Sequence, residues 1–193
     1  MDFRFDAFIE ACERDVAAPG GLERIRERLA ETVQDGSAIG DALPAMTGDE
    51  MLLHASERLV VVHLRLSPNV HYPPHEHGME AIVGIYAGTE HSISYRLEHG
   101  RPVAIGEHDA QAGEVTILPG DAIHSVANAG ESFSYGLHVY AGDLIHQPRH
   151  IWHPETGEAH PYSDECYFEF ARPWDARRPY VAPDLCLAHA DGG

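Results

Sequence analysis

From Leu59 onward the chain is built of short stretches that alternate in twos. LVVVHLRL, SISYRL, EVTILPG and SFSYGLHVYAG are rich in β-branched and aromatic residues, and Gly, Pro and Asp separate them, as in LEHGRP and LPGDA. Such segments read as strands joined by tight turns. Many short strands at regular spacing bury their apolar faces by closing into a barrel or packing as a sandwich. Ahead of them, DAFIEACERDVA and GGLERIRERLAETVQ carry apolar residues at three- and four-residue steps. Leu22, Ile25, Leu29 and Val33 fall on one stripe of a second helix. Gly20-Gly21 separates the two helices, and Gly36 and Gly40 are expected to end the second. From about Gln147 the texture loosens, with PETGEAHPYS as a turn and YFEFA as a strand. The expected layout is a single, mainly β domain over residues 1–193. It comprises a helical segment (1–45), a barrel core (55–145) and an irregular extension (146–193) packed on the barrel.

A chain of 193 residues can bury one sizeable core. Its 31 acidic residues against 13 basic ones give a formal charge of -18. A surface that negative repels phosphate backbones and anionic lipid, so neither nucleic acid nor a membrane surface is expected as a partner. A small anionic ligand would need a local cation to receive it. The start, MDFRFDAFIEACERD, lacks the basic flank and apolar core of a signal peptide, and no apolar run is long enough to span a bilayer. Cys12, Cys166 and Cys186 are odd in number, far apart and without a CxxC pair, which argues against a disulfide framework or a zinc finger. A cytoplasmic protein is the expectation.

Histidine is plentiful, with 15 residues. His146, His150, His153 and His160 sit in a polar, proline-rich segment and are expected to be solvated. HYPPHEHGMEAIVGIYAG, from His71 to Gly88, is different. Residues two apart on a strand share a face, so His75 and His77 project together, and Pro73-Pro74 stiffens the approach. Alone, the pair is half a metal site or two surface histidines. GEVTILPGDAIHSVAN then supplies a strand, a tight turn at Pro119-Gly120-Asp121, and His124. Together the two segments resemble the paired motifs of the cupin superfamily, with His75, His77 and Gly88 fitting the first and Gly113, Pro119, Gly120, His124 and Asn128 the second. The resemblance implies a double-stranded β-helix (jelly-roll) barrel and a metal held by His75, His77 and His124. The usual cupin glutamate falls at Ala81, so Glu80, one residue away, faces outward unless a bulge follows His77. His71 lies outside the motif, as a neighbour of the site. Three histidines leave coordination positions open for substrate or dioxygen, and imidazole suits Fe, Zn, Ni or Cu.

LHVYAGD places His138 and Tyr140 two apart on one strand face. Taken alone, the pair could simply fill a barrel. With the three-histidine motif it resembles the thiol dioxygenases, the cysteine dioxygenase and 3-mercaptopropionate dioxygenase group of cupins, over residues 20–170 at the level of layout. That resemblance implies one Fe(2+) per chain, with a small thiol and O2 as reactants and a sulfinic acid as product. It also implies catalytic roles for Tyr140 and His138. The family serine falls at Gly136, with Ser134 as an incomplete substitute, and GMEAIVG lacks the cysteine that crosslinks to the tyrosine in mammalian-type members. Arg149, nine residues past Tyr140, matches the arginine that binds the substrate carboxylate in mercaptopropionate-type enzymes, and Arg65 and Arg96 are fallback candidates. Rival readings are another three-histidine cupin metalloenzyme, such as a ring-cleaving dioxygenase or isomerase, and a non-catalytic small-molecule-binding cupin. Either a monomer or a homodimer is compatible with the sequence.

Overall fold

The structure is a computed structural model, and it describes residues 4–175. Three helices come first: α1 (Phe5–Val16), α2 (Gly21–Thr32) and α3 (Gly36–Ala42). Gly36 and Gly40, expected to end the second helix, instead lie within the third. Asp35 explains the difference, since its carboxylate accepts from the Ala38 backbone N–H at 3.1 Å and opens a new helix after a short break. Thirteen strands follow among the described residues, and the fold is a mainly β double-stranded β-helix with N-terminal helices. No helix of the described residues is long and apolar enough to cross a membrane.

The first sheet runs β1 (Glu50–Ala55), β2 (Val60–Leu66), β10 (Ser134–Tyr140), β5 (Ala81–Ala87), β8 (Val115–Leu118). All its pairings are antiparallel. Its outer face meets the helices: Leu59, Val61, Ile82, Leu137 and Val139 pack with Phe8, Ile9, Cys12, Ile25, Leu29, Val33 and Ile39 in one cluster. The stripe expected on α2 is therefore the face that docks, with Leu22 only partly buried. Gly84 permits the close approach, because a Cβ there would sit 2.7 Å from Leu29 Cγ and 2.9 Å from Val33 Cγ1.

The second sheet holds β3 (Val70–His71), β4 (His75–Glu76), β9 (Ile123–Asn128), β11 (His150–Trp152), β12 (Ala159–Pro161) and β13 (Arg172–Pro173). The long hairpin of β6 (Thr89–Glu98) and β7 (Arg101–Gln111) joins it through β9. His99 and Gly100 form the two-residue hairpin turn with φ of 52° and 80°, as a primed turn requires. The described part of the C-terminal extension, up to residue 175, carries regular elements. YFEFA, expected as a strand, overlaps the helix α4 (Asp164–Glu169). Ser163 caps it by accepting from the Cys166 N–H at 3.1 Å, and Asp164 and Glu165 suit its first turn. Cys12 and Cys166 are free thiols, and Cys186 lies outside the described residues.

Candidate metal centre

The two histidine segments meet because β4 pairs antiparallel with β9, setting His75 directly opposite His124. His77, two residues on from His75, reaches the same point. One ligand atom from each of the three lies within 4.8 Å of the others, and the ring centroids are 4.7–5.1 Å apart. All three residues are buried. His75 Nδ1 lies 3.0 Å from the Pro73 carbonyl, which can only accept, so this nitrogen carries the proton and Nε2 keeps its lone pair. His124 Nδ1 contacts Ser92 Oγ at 3.2 Å, and its Nε2 is buried with no hydrogen-bond partner among the described residues. Burial drives the His75 imidazole down to about 4, and those of His77 and His124 well below their ordinary value. Neutral imidazoles with uncommitted buried nitrogens, two of them oriented by hydrogen bonds at Nδ1, are a donor set that a metal ion accepts, so these residues fit one.

Glu80 is exposed, and Ala81 is buried against Met79, Tyr140 and Leu144. The strand register thus turns the glutamate away from the histidines. His71 is also no part of the cluster; its Nε2 lies 2.8 Å from Ser125 Oγ and its ring packs on Trp174.

The cavity beside the three histidines has room for about 50 Å³. At 10–15 Å³ per water this is space for roughly four waters, hence for a small ligand. Val62, Leu64 and Val126 give it apolar walls. His138 and Tyr140 enter it from β10, with the phenol hydroxyl 3.4 Å from His138 Nδ1 and the Tyr140 ring 5.0 Å from that of His77. Burial holds the Tyr140 phenol protonated, well above its ordinary value, and drives the His138 imidazole down to about 3. Arg149 lines the mouth, its guanidinium 3.4 Å from the centre of the Tyr162 ring. Among the described residues it is the only Lys or Arg that lines the cavity, and Glu50 lines it too. The fallback arginines lie elsewhere: Arg65 bonds Asp49 and covers Phe133, and Arg96 bonds Glu98. Ser134 cannot replace a serine at 136, since it sits four residues, about 13 Å, from His138 along the strand. Its hydroxyl donates to the Ala87 carbonyl.

Sequence reasoning missed three side chains here. Tyr162 and Tyr167 both line the cavity, and Tyr167 meets His75 edge-on at 5.4 Å. They arrive because β11 pairs with β4, Ile151 opposite His75, which folds the C-terminal segment over the site. His150, expected to be only solvated, helps fasten this edge through its Nδ1, 2.6 Å from Glu76 Oε1. The third is Glu90, which is 4% exposed and lies behind His138. Nothing in the sequence marks Ser92, two residues on along the strand, as inward, so no signal pointed to Glu90.

No protein-family model matches the chain. Among solved structures it is similar to a conserved double-stranded β-helix protein of Klebsiella pneumoniae, at 15% identity and TM-score 0.43 over 54% of this chain and 82% of that one. An RmlC-like cupin of Methanocaldococcus jannaschii matches at 15% identity and TM-score 0.42, over 53% of this chain and 90% of that one. A mutant oxalate decarboxylase of Bacillus subtilis matches at 25% identity and TM-score 0.38, over 46% and 22%.

Proposed function

We propose that the protein is a non-haem iron thiol dioxygenase that converts a small thiol and O2 into a sulfinic acid. The observation that carries this reading is the grouping of three buried histidines, the Tyr140–His138 pair and Arg149 around one small cavity. The reaction balances as R–SH + O2 → R–SO2H: the S–H proton is released, both oxygen atoms pass to sulfur, and sulfur supplies the four electrons that reduce dioxygen. His75, His77 and His124 would hold one ferrous ion, which supplies the Lewis acidity that ionises a thiol and the redox chemistry that dioxygen requires.

The remaining tasks fall to the chain itself. Val62, Leu64 and Val126 keep the cavity walls dry, which strengthens every polar contact inside it. Arg149 would receive a carboxylate, and its stacking on Tyr162 would hold its fork in one plane. The Tyr140 phenol keeps its proton and can donate it in a hydrogen bond to the negative charge that gathers on the substrate. His138 steers that phenol from Nδ1.

The test is an oxygen electrode with iron-loaded protein and cysteine, 3-mercaptopropionate, cysteamine and bulkier thiols. Uptake of one O2 per thiol, with sulfinate formed, is expected for at least one of them. A chain that holds zinc or nickel and consumes no oxygen with any thiol would instead favour an isomerase or a binding protein on the same three histidines.

A further inference from the structure

Two polar atoms behind the cavity have no hydrogen-bond partner among the described residues: Glu90 Oε2 and His138 Nε2. They face each other at 3.7 Å, on side chains each 5% exposed. Buried polar atoms left unpaired are costly, and this gap exceeds hydrogen-bond range by only about half an ångström. The placement follows from strand parity. Ser92 on β6 reaches His124 on the inner face of the barrel, and Glu90, two residues earlier, shares that face. Gly136 leaves the approach open. A Cβ at 136 would lie 3.2 Å from His138 Nε2 and 3.1 Å from both the Gly84 carbonyl oxygen and Ile85 Cδ1. His138 therefore cannot readily be partnered from its own strand, and the group that faces its Nε2 comes from β6.

We propose that Glu90 is a positioning residue, whose carboxyl holds His138 at Nε2 and through it sets the orientation and the proton of the Tyr140 hydroxyl. This rests on the reading above, in which Tyr140 works in the cavity. Two proton arrangements satisfy the chain Glu90–His138–Tyr140. With a carboxylate, His138 Nε2–H donates to Glu90 and Nδ1 accepts from the Tyr140 hydroxyl, which then offers only lone pairs to the cavity. With a carboxylic acid, Glu90 donates to Nε2, Nδ1–H donates to the Tyr140 oxygen, and the phenol proton points into the cavity. Burial raises the Glu90 carboxyl to about 7, so the acid form is accessible near neutrality, while His138 stays neutral in both. The second arrangement is the one that lets Tyr140 donate to a negatively charged substrate. Glu90 itself does not line the cavity.

The test compares wild type, Glu90→Gln and Glu90→Leu as full-length chains. In the metal-free proteins, long-range proton–nitrogen NMR reads the two ring nitrogens of His138. Glu90→Leu should shift its Nε2 resonance and its tautomer balance. Glu90→Gln, which can still bond Nε2, should shift them less. In the iron-loaded proteins, Glu90→Leu should slow thiol oxidation about tenfold or more at unchanged iron content and KM, with most of the rate kept in Glu90→Gln. In a Tyr140→Phe background, Glu90→Leu should cost little more, because it acts through that hydroxyl. Unmoved His138 resonances in both variants would overturn the proposal, as would an equal slowing with and without the Tyr140 hydroxyl. Should Glu90→Leu fail to fold, Glu90→Gln decides alone, and resonances identical to wild type overturn it. A wild type that oxidises no thiol, with His138 resonances that still follow residue 90, would refute the reaction and leave the contact standing.

Discussion

Leu137 and Val139 face the helices, so His138 and Tyr140 between and beyond them must face the barrel interior. That parity puts a phenol beside the three histidines, and Tyr140→Phe removes only its oxygen. One hydrogen bond to a charged species is worth about 1.5–3 kcal/mol, so oxidation should slow about ten- to a hundredfold while iron content holds. An unchanged rate would mean that the ring only packs. Arg149 permits a sharper contrast. In a protein of net charge -18 it is the only Lys or Arg among the described residues that line the cavity. Arg149→Ala should weaken a thiol acid by about 2–4 kcal/mol in kcat/KM and barely affect cysteamine, which has no carboxylate. Equal loss with both thiols would indicate damage to the site rather than loss of an anchor. The grouping of the three histidines was legible through the resemblance of two short segments to the paired cupin motifs, since parity alone left His75 and His77 open to a surface reading. Glu90 was not, because an acid between Thr89 and His91 reads as a surface residue until β6 is seen pairing with β9.

At the scale of elements, the strands were legible and the boundaries of the helical parts were not. LVVVHLRL, SISYRL and SFSYGLHVYAG contain β2, part of β6 and β10, since alternation survives any tertiary arrangement. α3 escaped because its two glycines read as breakers, whereas the Asp35 cap and the burial of Ile39 hold that turn of chain helical. α4 escaped because YFEFA is rich in aromatic residues, which favour strands, while its start signal, Ser163 followed by two acids, lies upstream. The junction of helix and sheet makes its own prediction. Gly84→Ala puts a Cβ 2.7 Å from Leu29 Cγ, and a branching carbon in a packed cluster cannot retreat cheaply. Overpacking of this kind costs about 1–3 kcal/mol. Chemical denaturation should show that loss, with metal affinity unchanged because the glycine faces the helices. A neutral result would mean that α2 rides on the sheet more loosely than the packing implies.

The molecule as a whole holds an unusual store of uncharged histidine. Burial depresses His63, His71, His75, His77, His124 and His138, with His75 at about 4 and His71 and His138 at about 3. Unfolded, each would titrate near 6.5. Between pH 6.5 and about 4 the unfolded chain therefore binds protons that the folded chain refuses, and stability must fall as pH falls. Glu50 and Glu90 work in the opposite sense. Their carboxyls, each raised to about 7, are protonated in the folded chain where an unfolded glutamate is ionised, which offsets two histidines. The six histidines still outnumber them, so unfolding of the metal-free protein near pH 5 should take up at least two protons. Two protons correspond to a slope of about 2.7 kcal/mol per pH unit, steep enough to exhaust the stability of an ordinary domain within a few units. A bound metal should deepen the dependence, because it stabilises the folded chain only while His75, His77 and His124 are unprotonated. Tm measured from pH 7.5 to 4.5, with and without a chelator, should therefore drop on acidification in both series, and the gap between the two should close. A metal-free Tm that stays flat from pH 6.5 to 5 would mean that these histidines are solvated and that the barrel is open where the structure closes it.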